Sequence, residues 1–359
     1  MGGVRDKAAD GAYDFASPFL LAPGGTRLVQ IQPTRRCNLR CQHCYSQSGP
    51  EQREDLQYQP LETFLVQARD LGYNYVGVSG GEPLLWKELD RFLDAAGEMG
   101  FAASITTNGT LLDRRRAAEF RGRVGLVAVS VDGPPKDHAK MRGSESAFAA
   151  MRAGVSALAE ENIRFSLAFT LTRYNADQMT WLIHFAREVG AFAIHVHPLC
   201  HFGAASENLA GAAPDSLEFK AAALLLALLV HEGGGSGPAV TLDAIRRSVV
   251  EHSCWPMVAD DHDRIVSTPF TELVPSLVID TDGSIAPFIY GFPRLWSVGT
   301  IGAEPLANAA AVWRVRYATP VAGMIRSTLE RLAAAGEDYI DLFGQLLATA
   351  LRNQTGNGD

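Results

Sequence analysis

Eight consecutive residues hold most of the chemistry this sequence can do: Cys37-Asn38-Leu39-Arg40-Cys41-Gln42-His43-Cys44, three cysteines at C-x3-C-x2-C spacing. Three thiolates this close along the chain can converge on one metal centre, and soft sulfur donors favour iron-sulfur clusters or zinc over hard cations. A structural zinc asks for a fourth local ligand, which His43, lying between two of the cysteines, is poorly placed to supply. Three ligands therefore suggest a [4Fe-4S] cluster with one iron left open to a substrate or cofactor. A structural zinc or a redox-sensing cysteine group is the bland alternative.

At these residues the chain resembles the radical S-adenosylmethionine (SAM) enzymes, whose signature is C-x3-C-x-aromatic-C; His43 stands in the aromatic place and Tyr45 follows, as in many members. The resemblance continues through Ser79-Gly80-Gly81-Glu82-Pro83, Thr107-Asn108-Gly109 and Ser130-Val131-Asp132-Gly133, in the family's order. It covers residues 27 to 200 strongly and the remainder weakly. What it implies is that Cys37, Cys41 and Cys44 ligate one [4Fe-4S] cluster, with SAM chelating the open iron. Gly80, Gly81, Glu82 and Pro83 resemble the segment that holds SAM's amino group: the glycines allow close approach, Glu82 sets a carboxylate there and Pro83 stiffens the turn. Asn108 and Ser130 can hydrogen-bond a ribose or the methionine carboxylate. Asp132 does the same or caps its own turn. Arg142 resembles the basic residue many relatives direct at the methionine carboxylate, a planar target that suits a guanidinium. His43 and Tyr45 complete the expected SAM-binding set. The implied reaction is reductive cleavage of SAM to a 5′-deoxyadenosyl radical, with electrons from a carrier such as flavodoxin or ferredoxin, followed by hydrogen abstraction from an unreactive C-H bond.

The elements that position these loops alternate along the chain. Arg27 to Thr34, Tyr75 to Ser79, Ala102 to Thr106, Leu126 to Val131, Phe165 to Leu171 and Ala193 to His197 read as strands. Helical patterns at 61–71, 86–99, 113–121, 144–161 and 177–189 separate them, which implies a parallel sheet with right-handed crossovers. Periodicity does not choose between an open doubly wound sheet and a barrel; the family resemblance implies a partial (β/α)6 TIM-like barrel, with sites after the strands' C-terminal ends. His195 and His197 alternate with apolar neighbours and share one face of the last strand.

Beyond residue 200 the sequence resembles relatives with a C-terminal SPASM or twitch extension, an α+β unit. Leu277 to Pro287 reads as its hairpin, with Asp282-Gly283 at the turn, and Ser297 to Gly302 as its closing strand. In those relatives a cysteine follows the proline and others bind auxiliary clusters. Phe288 holds that place here, and only Cys200 and Cys254 remain among the five cysteines, too few for a second ligand set of four. The expected division is an N-terminal segment 1–26, a core domain 27–205 and a SPASM-like domain 206–359 without auxiliary cluster. Cys200 and Cys254 are candidate catalytic thiols that would return a hydrogen atom to a substrate radical, with small buried apolar groups as the alternative. Residues 321–351 read as one or two helices interrupted near Gly336, and Gly233 to Gly237 as a flexible insert.

Composition narrows the function classes. A chain of 359 residues with 47% hydrophobic residues has room for about two domains. A formal charge of -8 gives no basic footprint for nucleic acid, and the longest apolar run, Ala221 to Val230, is too short to span a membrane. Few cysteines, clustered as ligands, point to a reducing, cytoplasmic setting. The expected substrate is a ribosomally made peptide that is oxidised or cross-linked; a small sugar or nucleoside in natural-product assembly is the alternative.

Overall fold

A computed structural model describes residues 25–200, 202–232, 237–243, 245–253, 255–258 and 261–355. Cys254, residues 233–236 of the expected insert and most of the 1–26 segment lie outside the described residues.

Short runs of β-branched and small residues form the strands β1 (Leu28–Ile31), β2 (Tyr75–Val78), β3 (Ala102–Thr107), β4 (Leu126–Val131), β5 (Phe165–Leu171) and β6 (Ala193–Pro198). Each is followed by a helix, and each pairs in parallel with the next. Two strands beyond the expected six extend the series. β7 (Ala239–Leu242) adds parallel to β6, and after the short β8 (Ile245–Arg246), β9 (Ser276–Ile279) adds parallel to β1. Eight parallel strands thus run in the order β9-β1-β2-β3-β4-β5-β6-β7 within one sheet. β9 turns at Asp282-Gly283 into β10 (Ser284–Pro287), which pairs with β11 (Gly299–Thr300) at the sheet's edge. Strand β12 (Tyr339–Ile340) pairs separately with β8. β7 went unread because four residues beside a glycine-rich run carry too little periodicity.

The burial pattern sorts the two faces. In β4 the valines 127, 129 and 131 are buried against helices, while Leu126, Ala128 and Ser130 alternate with them on the inner face. The registers align Ser130 with Ala168, His195 and Thr241 across β4 to β7, and Thr170 with His197. The inner face on this side is therefore small and polar, unlike the bulky packed interior of a closed TIM barrel.

The helix expected over 144–161 forms at Ala147–Glu160, and an unexpected one, Pro135–Arg142, precedes it, ended by Gly143 at a left-handed φ of 66°. The C-terminal region forms a long helix Leu306–Ala334 and a second Leu342–Thr355, separated by Gly336 and β12. Phe288, at the position of the relatives' cysteine, is buried with Trp255, Phe292 and Trp313 around it at ring centroids of 6.0, 5.6 and 6.3 Å. Aromatic packing occupies that point of the extension.

Candidate active site

The cysteine loop leaves β1 and is held from four sides. Arg36 pairs with Asp55 at 2.8 Å and donates to the Leu85 carbonyl, and Thr34 donates to Asp55 at 2.5 Å. Gly80 and Gly81 close in from β2: a Cβ on Gly81 would meet the Arg36 carbonyl at 2.2 Å, and Gly80 has a φ of 103°. This pair is therefore required for backbone to approach backbone. Helix Pro135–Arg142 abuts the loop's middle, where Gln42 N-H donates to the Met141 carbonyl and a Cβ on Gly143 would meet the Arg40 carbonyl at 2.6 Å. From the far side, Ala204 N-H donates to the Cys44 carbonyl, and Gly203 leaves no room for a Cβ against Cys44 and Tyr45.

The three thiols are free, half-buried and each meets a donor. Asn108 Nδ2 lies 3.9 Å from Cys37 Sγ, Arg142 Nη1 3.7 Å from Cys41 Sγ, and Ser48 N-H 3.3 Å from Cys44 Sγ. Burial pushes the Cys37 thiol up to about 12, with Cys41 and Cys44 adding to the effect, and burial raises Cys41 as well. Three soft sulfurs that sit among N-H donors and bear on one another electrostatically fit an iron-sulfur cluster, whose iron would hold them as thiolates.

The residues expected to contact SAM are brought to the same end of the sheet, and most already have partners within the protein. Glu82 is fully buried; its carboxylate accepts from Thr107 Oγ1 at 2.7 Å, Asn108 N at 2.9 Å and Leu84 N at 3.2 Å, tying the β2 loop to the β3 loop. Pro83 opens the short 3-10 turn that follows. Asn108 also donates to Asn38 Oδ1 at 2.9 Å and accepts from Thr110. Tyr45 hydroxyl lies 2.9 Å from Ser79 Oγ and 3.3 Å from Gln32 Oε1, and its ring meets Tyr290 edge-on at 5.1 Å. Asp132 is a buried hub: Arg142 Nε lies 2.5 Å from Oδ2, and His43 Nε2 3.3 Å from Oδ1. Ser130 stays on the inner face of β4.

Sequence reasoning missed Gln32, Tyr290, Asp243 and Asp341, and named Thr107 only as part of a motif. A polar residue at the end of an apolar strand was a readable signal for Gln32; Tyr290 and Asp341 come from far along the chain. Asp243 pairs with His195 at 3.0 Å, and the His195 and His197 rings stack at 5.8 Å on the inner face of β6. More than a third of the His195 and Asp243 side chains is open, at 37% and 36%. Cys200, two residues past the end of β6, lines a cavity of about 350 Å³ with Phe219, Leu332, Tyr339, Asp341 and Gln345. Burial, then the Asp341 carboxylate, pushes this thiol up to about 11.

A parallel, barrel-like sheet with three cysteines after its first strand and a buried acid after its second defines an iron-sulfur enzyme that works with SAM. The Radical SAM superfamily matches residues 31–186, and the chain belongs to it. Its members use a [4Fe-4S] cluster and SAM. The chain is 30% identical over 317 residues to a pre-heme d1 synthase of Dinoroseobacter shibae, covering 83% of this chain and 76% of that protein. It is 34% identical over 177 residues to an Fe-coproporphyrin III synthase of Methanosarcina barkeri, covering 48% of this chain and 44% of the relative. With that protein and the heme synthases matched at similar length, the alignment spans about half of the relative. Among solved structures, Streptococcus suis SuiB bound to its precursor peptide SuiA shares the fold at a TM-score of 0.65 and 17% identity, over 84% of this chain and 67% of SuiB. The enzyme anSMEcpe with bound AdoMet does so at 0.60 and 16%, over 82% and 83%. Among the described residues no helix is long and apolar enough to cross a membrane.

Proposed function

We propose that Cys37, Cys41 and Cys44 hold the [4Fe-4S] cluster and that the enzyme removes a hydrogen atom from a heme-type tetrapyrrole. The observation that supports this substrate is the 317-residue similarity to a pre-heme d1 synthase, which runs beyond the core into the C-terminal region. When bound, the cluster and SAM supply the one-electron reduction that yields a 5′-deoxyadenosyl radical. The protein's own part is to orient and enclose. Glu82 and Asn108 fix the β2 and β3 loops against the cysteine loop, Ser130 offers a hydroxyl to the chamber, and the polar inner face of β5 to β7 receives the substrate.

Oxidation or cross-linking of a ribosomal peptide is the second reading, favoured by the fold shared with SuiB in complex with a precursor peptide. That likeness, at 17% identity, is of fold alone. A reductant of the flavodoxin or ferredoxin kind is the expected partner. The test is anaerobic: reconstituted enzyme, SAM and dithionite are offered heme-type tetrapyrroles such as coproporphyrin III, synthetic peptides, and sugars or nucleosides. A tetrapyrrole should raise 5′-deoxyadenosine formation above the uncoupled rate and change in mass. If only a peptide or nucleoside does so, the tetrapyrrole reading is wrong.

A further inference from the structure

We infer that Asp132 and Arg142, joined by His43, form a buried charge clamp that sets the reduction potential of the cluster on the cysteine loop, Arg142 acting through the sulfur of Cys41. Sequence resemblance directs Arg142 at a SAM carboxylate. The geometry commits it elsewhere: Nε lies 2.5 Å from Asp132 Oδ2 while Nη1 lies 3.7 Å from Cys41 Sγ. Both side chains are nearly inaccessible, at 9% and 0%. A guanidinium reaches both partners because its donors splay from one rigid plane; a lysine ammonium is a single point.

The clamp is built into the fold. Asp132 opens the loop after β4, and its own N-H donates to His138 Nδ1 at 3.2 Å. Arg142 sits in the last turn of helix Pro135–Arg142, whose end is docked on Arg40 to Gln42. His43, in the place of the signature aromatic, lies with Nε2 3.3 Å from the other carboxylate oxygen, which sets the segment between Cys41 and Cys44 beside the same acid.

Among the described groups that meet the sulfurs, the Asn108 amide, the Ser48 N-H and the Ser46 hydroxyl are neutral, and Arg142 is the charged donor. Cluster potentials respond to net charge and to hydrogen bonds at sulfur. A cation beside Cys41 favours the more negative, reduced cluster and raises the potential; the Asp132 carboxylate offsets that cation. Removing either charge therefore shifts the potential in opposite directions, which a purely structural role would not produce.

The experiment is an EPR-monitored redox titration of reconstituted enzyme without substrate, with iron content measured alongside. Asp132→Asn should shift the potential positively and Arg142→Gln negatively. Arg142→Lys, which retains charge and loses the fork, should fall between wild type and Arg142→Gln. Potentials unchanged in Asp132→Asn, or moved negatively, overturn the inference. If Arg142→Gln holds no cluster, the sign of the Asp132→Asn shift decides alone.

Discussion

His195 and Asp243 form an ion pair on the inner wall of the sheet, with Nε2 and Oδ2 3.0 Å apart and the other ring nitrogen 2.7 Å from Thr241 Oγ1. Burial lowers the His195 value, but Asp243 outweighs it and leaves the imidazole above its ordinary 6.5. His197, stacked beside it, goes the other way: burial and then the neighbouring His195 bring it down to about 4. The signs follow from linkage. The His195 contribution is complete below 6.5 and is lost as pH rises through its higher folded value. The His197 contribution is complete above 6.5 and is lost as pH falls towards 4, because a buried neutral ring must be charged. Asp243, held below its ordinary 3.8 by His195 despite burial, contributes above that value and loses its contribution at lower pH. Thermal midpoints should therefore fall between pH 6.5 and 4, and His197→Gln should flatten that fall. An equal slope in variant and wild type would remove His197 as its cause.

The position of this pair shows what the sequence made legible. Alternation with Ile194 and Val196 put His195 and His197 on one face, and the strand bounds were nearly right. Asp243 was invisible because it follows β7, a strand whose pairing partner is set by the sheet and not by local pattern. The same division runs through the site. The cysteine loop and the Gly-Gly turn were readable because each needs particular residues within a few positions. That Glu82 is closed off by Thr107 and Asn108, and that Arg142 meets Cys41, depends on contacts 25 to 101 residues apart.

Iron stoichiometry tests the ligand set. Reconstituted protein should bind about four irons per chain, since five cysteines cannot furnish a second set of four beyond the three of the loop. Cys37→Ala, Cys41→Ala and Cys44→Ala should each abolish reductive SAM cleavage. About eight irons per chain, half of them surviving in the triple variant, would contradict this.

Glu82→Gln separates a structural from a ligand-binding carboxylate. The acid accepts three hydrogen bonds in full burial, and burial raises its pKa despite them. An amide turns one acceptor into a donor facing donors, which should cost about 1–3 kcal/mol of stability. That loss should be present in cluster-free protein, before SAM is added. If cluster-free Glu82→Gln melts like wild type while SAM affinity drops, the carboxylate faces the ligand.

Phe288→Ala probes the aromatic packing of the extension. Removing a ring enclosed by Trp255, Phe292 and Trp313 should cost about 3–5 kcal/mol, and Phe288→Leu clearly less. Chemical denaturation of the two variants gives the comparison, and equal, small losses would mean that the extension is held elsewhere.

The fate of the substrate radical turns on Cys200. A radical left after hydrogen abstraction must gain a hydrogen atom, lose an electron, rearrange or add to another group. A thiol donor makes the outcome redox-neutral, and the product then carries one solvent deuterium at the attacked carbon when turnover is run in deuterated water. Cys200 is the described thiol outside the cluster loop, three residues before the Gly203 that packs on Cys44. Its side chain, however, lines the cavity of the C-terminal helices beside Asp341, and burial with that carboxylate keeps it protonated up to about 11. A protonated thiol suits hydrogen-atom donation, whereas thiolate chemistry would need the opposite shift. The placement against the C-terminal helices favours the oxidative outcome: Cys200→Ala should sustain both 5′-deoxyadenosine formation and product formation, with the product two mass units lighter than substrate and free of solvent deuterium. Cys254→Ala should behave the same way. Deuterium in the product, together with turnover that stops in Cys200→Ala while 5′-deoxyadenosine still forms, would instead make this thiol the donor.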